Sequence, residues 1–160
     1  MKQITFQPIG KIRSEFKTVE GTPIQPTGAE GIEGKIELMP EFEEGLIDLK
    51  DFSHLILLYH CHLAGRCSLK NKPFLEDKEH GIFAIRAPSR PNSIGLSVVR
   101  LKKIEKNIIY IKDVDIVDDT PLLDIKPYVS EFDIRKDVKT GWYEKNVHKL
   151  SEKKDDGRFS

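Results

Sequence analysis

The sequence predicts an all-β chain folded as a single-domain β-barrel with short helical insertions. Three observations carry this expectation. Apolar and polar residues alternate with a period of two through most of the organised stretches. Only one short segment has helical periodicity, and turn residues interrupt the chain without the strand–helix alternation of an α/β fold. With 160 residues, 38% of them hydrophobic, the chain has the size of one domain and enough apolar surface for a core without disulfide or metal staples.

Each element has a reason. Ile4, Phe6 and residues 9–12 make a first strand region, interrupted by Pro8 and by Gly10, where a bulge fits. Residues 18–32 carry Gly21, Gly28, Gly31, Pro23 and Pro26 among polar neighbours, the composition of a long loop, and long loops in compact domains are often functional. Residues 33–38 alternate through Ile36 and Leu38, and Pro40 ends the strand. A short amphipathic helix is expected over 41–49, with Phe42, Leu46 and Leu49 on one face and Pro40 just before its start. Residues 54–61 form an almost unbroken apolar run, as for a strand buried on both faces. A second loop covers 65–81. Residues 82–86 alternate again and 96–101 follow as a strand. Asn107 is the turn, and Ile109, Ile111 and residues 114–117 supply the hairpin partner. The barrel domain is assigned to 1–140 and a C-terminal segment to 141–160, whose charged, apolar-poor end, 151–160, is expected to be poorly ordered.

Composition narrows the function. Lys and Arg total 26 against 26 Asp and Glu, a balance that argues against sequence-blind coating of nucleic acid and leaves only a local basic face. Lys11, Arg13, Lys17, Lys70, Lys72, Arg100, Lys102 and Lys103 are candidate phosphate contacts, or a solvated face balanced by neighbouring acids. The longest apolar run, 55–59, is far short of the roughly 20 residues of a membrane helix. Without a signal-peptide cleavage pattern, the expected compartment is the cytoplasm, where Cys61 and Cys67 are reduced thiols. His60, Cys61, His62 and Cys67 are residue types zinc prefers, but their spacing completes no ligand set, so no metal is expected. No dinucleotide-binding glycine turn, phosphate-binding loop or nucleophile elbow is present.

Two segments stand out. Residues 86–95, Arg-Ala-Pro-Ser-Arg-Pro-Asn-Ser-Ile-Gly, hold two arginine forks in a proline frame, which suits bidentate capture of carboxylate or phosphate as well as a stiff turn. Residues 115–128, Asp-Ile-Val-Asp-Asp-Thr-Pro-Leu-Leu-Asp-Ile-Lys-Pro-Tyr, follow a turn with an extended stretch that sets Asp124 and Lys126 on one face. That pair is either an edge-strand ion pair or a device for orienting a polar ligand or tuning a proton-transfer group.

Together these segments resemble the TsaA-like (TrmO) family of S-adenosylmethionine-dependent tRNA methyltransferases. The resemblance rests on Arg86-x-x-x-Arg90-Pro91-Asn92-x-Ile94-Gly95-x-Ser97 and on Asp115-x-x-Asp118-x-Thr120-Pro121-x-x-Asp124-Ile125-Lys126-Pro127-Tyr128. Ile9-Gly10-x-Ile12-x-Ser14 and Phe52-Ser53-His54-Leu55 also match, so that it spans roughly residues 4–134. It implies a β-barrel that binds S-adenosylmethionine, partly across a homodimer, and methylates N6 of the threonylcarbamoylated adenosine beside the tRNA anticodon. By motif, the donor site would comprise Pro23, Ile24, Gln25, His62, Leu63, Arg86, Arg90, Leu96, Thr120, Pro121, Leu122 and Leu123. In that reading Arg86 meets the donor carboxylate, and Leu122 and Leu123 meet its adenine. For the reaction, Asp124 or Asp118 would accept the N6 proton, with Lys126 or Tyr128 steadying the substrate. Ile24, Leu63, Ser93 and Asp119 depart from the residues usual in the family. The alternative function is a non-catalytic barrel that binds S-adenosylmethionine or a nucleotide as a sensor or adaptor.

Overall fold

The computed structural model describes residues 2–149 and 153–160. Its strands are β1 Gly10–Arg13, β2 Glu33–Leu38, β3 His54–His60, β4 Lys70–Asn71, β5 His80–Gly81, β6 Ile94–Glu105, β7 Ile108–Lys112 and β8 Thr120–Pro127, with one α-helical turn, α1, at Ser130–Asp133. Six of them close a barrel in the order β1-β2-β7-β6-β3-β8, and β4 and β5 form a separate ribbon. Every pairing in the barrel is antiparallel. Closure leaves no open sheet edge, which is how a β domain of this size avoids edge-to-edge association.

Alternation places one residue in two inside. Ile12, Ile36, Leu55, Leu57, Val99, Ile109, Ile111 and Leu122 are fully buried, one or two from each wall. The β6–β7 hairpin turns through Lys106, at φ 53°, and Asn107. The Asn107 side chain donates to the Leu38 carbonyl at 2.6 Å and so ties the turn to β2.

Several local expectations give way to tertiary packing. Residues 54–61 are buried on one face, Leu55 and Leu57, while Ile56 and Leu58 are half-buried on the barrel's outside, because no second layer covers β3 there. The helix expected over 41–49 is two 3₁₀ segments, Pro40–Leu46 and Leu49–Asp51, separated at Asp48 by a left-handed φ of 64°. Phe42, Leu46 and Leu49 nevertheless pack against the barrel core as their spacing requires. Residues 82–86 are not a strand. Ile82–Ala84 is a 3₁₀ turn, whose spacing of three turns Ile82 and Ile85 into a second apolar cluster with Ala87 and Phe159. Residues 114–117 leave the sheet, although Val114 and Ile116 remain buried. Ile4 and Phe6 lie outside β1 and are exposed.

The C-terminal end is packed rather than loose. Asp155 accepts the Gly21 N–H and donates its own N–H to the Thr22 carbonyl, both at 2.8 Å, and the Phe159 carbonyl accepts the Gly65 N–H at 2.7 Å. Phe159 itself is 4% exposed. One aromatic in a polar decapeptide is diluted in composition, yet it packs with Ile82, Ile85, Ala87 and Phe74 in the second apolar cluster. Ser151 and Glu152, at the start of that stretch, lie outside the described residues.

Candidate active site

β3 ends, and β6 and β8 begin, at the same mouth of the barrel, since His60 pairs with Ile94 and Tyr59 with both Gly95 and Leu122. The loops that leave this mouth, together with residues 19–25, enclose a cavity of about 420 Å³, the size range of small-molecule sites. Pro23, Ile24, Gln25, His62, Leu63, Arg86, Arg90, Leu96 and Thr120 line it. Residues from four separate stretches of the chain thus meet at one place.

The two arginines have different tasks. Arg90 donates to the carbonyls of Ile85 at 2.9 Å and Ala87 at 3.3 Å, so its fork holds the 86–93 loop in shape. Among the described residues the Arg86 guanidinium bonds only the neutral Gln25 side chain, at 3.2 Å, and keeps donors for a ligand anion. Thr120 donates to the Val117 carbonyl at 2.7 Å, which closes the turn beneath the cavity. Burial lowers the His62 pKa, with Asp119 acting in the opposite sense, so the ring is neutral at physiological pH. Leu63, Phe83, Ile94 and Leu96 stand exposed around the rim. They form an apolar mouth that suits a planar ring or a second protein surface.

Other expected site residues lie elsewhere. Leu122 is fully buried inside the barrel, so its side chain is unavailable to a ligand; strand alternation turns it to the core. Pro121 and Leu123, on either side of it, do not line the cavity. Asp118 is a structural clasp. It accepts the Ser14 N–H at 3.1 Å and the Lys17 ammonium at 2.7 Å, with Arg13 at 3.9 Å. Burial pushes the Asp118 carboxyl up, but these partners outweigh it and hold it below the usual carboxylate range. Asp124 pairs with Lys126 at 2.8 Å and accepts the Ile125 N–H. The pair is substantially exposed on the barrel wall, the plain ion pair that spacing alone allowed, although β8 pairs with β1 and β3 and is not an edge strand. The Tyr128 ring sits 6.1 Å from that of His54, also away from the cavity. Among the described residues, no group of three His, Cys, Asp or Glu is placed to hold a metal ion.

Sequence reasoning gave no role to a polar chain in the cavity wall, in which Ser97 is buried and Tyr59 and Asp115 are half-buried. Tyr59 Oη and Ser97 Oγ are 3.0 Å apart, and Ser97 Oγ donates to Asp115 at 2.7 Å. Tyr59, Asp115 and Cys61 all line the cavity. Burial raises the Asp115 carboxyl to about 7, against the Ser97 hydrogen bond and the more distant Arg86 charge. Burial and the nearby Asp115 raise the Cys61 thiol to about 11. Gly95 permits the arrangement, because the Tyr59 ring lies where a Cβ would be. The available signal was Asp115 between two strongly apolar neighbours, Val114 and Ile116, whose burial in the core pins the segment that presents Asp115 to the cavity.

The candidate phosphate contacts are largely engaged. Lys11 and Arg13 bond Asp119, Arg13 also bonds Glu37, and Lys17 bonds Asp118. Lys72 pairs with Asp77, Arg100 with Asp113, Lys102 with Glu33 and Lys103 with Glu105. Asp119 occupies its turn at φ 63°, a conformation that Asp tolerates better than most residues.

Known proteins share this architecture. A probable S-adenosyl-L-methionine-binding protein of Pyrococcus abyssi is 56% identical over 98% of this chain and 85% of its own length. The human tRNA (adenine(37)-N6)-methyltransferase is 36% identical over 82% of this chain, which spans 32% of that enzyme. The crystal structure of TrmO from Pseudomonas aeruginosa superimposes with a TM-score of 0.75 at 40% identity, covering 90% of this chain and 63% of the other. The model of the tRNA-methyltransferase O N-terminal domain matches residues 11–134, from β1 to just beyond α1. The chain belongs to the tRNA-methyltransferase O N-terminal domain family.

Proposed function

We propose that this chain transfers a methyl group from S-adenosylmethionine to N6 of adenosine-37 in tRNA, with the threonylcarbamoylated nucleoside as acceptor. The observation that carries the proposal is the cavity at the barrel mouth with its uncommitted Arg86 fork. A donor that combines an amino-acid carboxylate with an adenine needs one anion contact and one apolar wall, and both line the same space. In this reading Arg86, oriented by Gln25, holds the carboxylate. Pro23, Ile24, Leu63 and Leu96 flank the apolar part of the donor. His62 and Thr120 supply neutral hydrogen-bonding groups, and Arg90 stiffens the loop. Bound there, S-adenosylmethionine supplies an electrophilic methyl group on a sulfonium.

The apolar rim supports a homodimer in which a second subunit covers the mouth. The anticodon loop would approach across that junction in the cytoplasm, where tRNA is found; among the described residues no helix is long and apolar enough to cross a membrane. Asp124, Lys126 and Tyr128 are suited to contact with the tRNA or the second subunit rather than with the methyl group.

A second reading, binding without catalysis, draws support from the Pyrococcus relative, which is named only for binding. Calorimetry with S-adenosylmethionine, followed by mass spectrometry of nucleosides from tRNA incubated with protein and donor, separates the two. A methylated adenosine in the anticodon loop supports the transferase; binding with no methylated nucleoside supports the sensor.

A further inference from the structure

The Tyr59–Ser97–Asp115 chain has no part in the scheme above, yet it is the most unusual electrostatic feature of the cavity. Asp115 forms no ion pair among the described residues. Its neighbours are the Tyr59 phenol and Ser97 hydroxyl from β3 and β6, the Cys61 thiol from the loop after β3, and the Arg86 guanidinium across the cavity. Arg90 also faces Cys61. Asp115 is half-buried in the cavity wall, and a carboxylate withdrawn from water without a paired cation is costly. A purely structural role would be served as well by an amide.

We infer that Asp115 is the proton acceptor of the methyl transfer, oriented by Ser97, which Tyr59 in turn buttresses. This rests on the transferase reading and deepens it. The exocyclic nitrogen of the acceptor carries a delocalised lone pair and one hydrogen, so it is a poor nucleophile until that N–H is drawn away. The nitrogen forms its new bond to the methyl carbon as the sulfur–methyl bond breaks, and the bonding pair stays on sulfur as a neutral thioether. The N–H proton passes to an Asp115 carboxylate oxygen and then to water, so atoms and charge balance. Ser97 leaves the carboxylate's other lone pairs directed at the cavity. Burial sets the basicity of Asp115 near neutrality, where a general base is most effective. Asp118 and Asp124 are each paired with a lysine and lie outside the cavity.

The test uses the full chain and has two readouts. In the first, protein labelled with ¹³C at aspartate carboxyls is titrated by NMR with no donor or tRNA present. One resonance should titrate near pH 7, vanish in Asp115→Asn, and move to higher pH in Ser97→Ala, which removes the hydrogen bond that favours the anion. In the second, single-turnover methylation is measured from pH 5.5 to 9. The wild-type rate should rise tenfold per pH unit and level off near pH 7. Asp115→Asn should bind S-adenosylmethionine within about threefold of wild type and lose roughly 10²- to 10⁴-fold in rate. Ser97→Ala should move the rising limb upward in step with the NMR titration, and it serves alone if Asp115→Asn does not fold. An active wild type with Asp115→Asn within threefold of its rate, or with no aspartate titrating near neutrality, overturns this inference alone. A wild type that binds the donor and methylates no tRNA overturns the transferase reading as well.

Discussion

Replacing Gly95 with alanine tests whether packing or propensity governs the cavity wall. In a strand interior, glycine to alanine ordinarily gains about 0.5–1 kcal/mol, because glycine loses more backbone entropy on folding. Here the new Cβ would lie 2.1, 2.4 and 2.7 Å from Tyr59 Cε2, Cζ and Cδ2. Carbon atoms rest about 3.5–4.0 Å apart, so the ring must retreat by roughly 1.5 Å. That displacement breaks the 3.0 Å contact with Ser97. Overpacking costs about 1–3 kcal/mol, and a buried polar group left without its partner costs about 1–3 more. Net of the propensity gain, the expected loss is roughly 1–5 kcal/mol. For a chain this long, the melting temperature falls on the order of 10 °C. Thermal and denaturant unfolding of wild type, Gly95→Ala, Tyr59→Ala and the double variant measures it. Without the ring, Gly95→Ala should be neutral or stabilising, so the cycle should show a coupling of about 2–6 kcal/mol. Equal cost in both backgrounds, or a Gly95→Ala variant as stable as wild type, refutes the reasoning.

Other outcomes follow from the same contacts. Ser14→Ala removes the bonds to the Ile116 carbonyl at 2.6 Å and from the Phe16 N–H at 3.2 Å, which should cost about 1–2 kcal/mol in denaturant unfolding. Burial raises the Cys61 thiol from 9.0 to about 11, so near pH 8 its thiolate fraction is about a hundredfold below that of an ordinary cysteine. Maleimide labelling followed by peptide mass spectrometry should therefore modify exposed Cys67 first and reach Cys61 only at strongly alkaline pH. Because the folded state raises the Asp115 carboxyl from 3.8 to about 7, the folded chain keeps a proton that the unfolded chain releases between those values. This group's penalty therefore appears as pH rises through that window. Asp115→Asn should match wild type in stability near pH 4 and exceed it on the order of a few kcal/mol at pH 8, as read by denaturant unfolding at the two pH values. With most candidate phosphate contacts already paired to carboxylates, unmodified tRNA should bind weakly, with a log–log salt slope no steeper than about −3 by filter binding or fluorescence.

Much of the architecture was legible along the chain, and the reason is periodicity. Alternation at residues 33–38 and 108–112 specified which side chains face a core, and the same rule turned the Leu122 side chain inward, away from the apolar ligand contact expected of it. The failures share a cause: 41–49, 82–86 and 114–117 carry apolar residues whose partners are remote, so local spacing could not tell a 3₁₀ turn or a buried loop from a helix or strand. Likewise the polar composition of 151–160 hid Phe159, whose slot exists only once Phe74 and residues 82–87 are folded together.

The sequence by itself determined the barrel class, the zero net charge and the motif that carries Arg86, Arg90 and Thr120, because alternation, composition and residue identity are properties of the chain alone. The tertiary structure decided which charged groups are spent and which are free. Closing the barrel puts Asp118 against Lys17, Asp124 against Lys126 and Asp113 against Arg100, while Arg86 keeps an open fork and Asp115 sits in the cavity wall hydrogen-bonded to Ser97 and without an ion pair among the described residues. Whether a carboxylate is a clasp, a solvated pair or a base depends on desolvation and on the distance to the nearest cation, and those quantities exist only after distant segments have met.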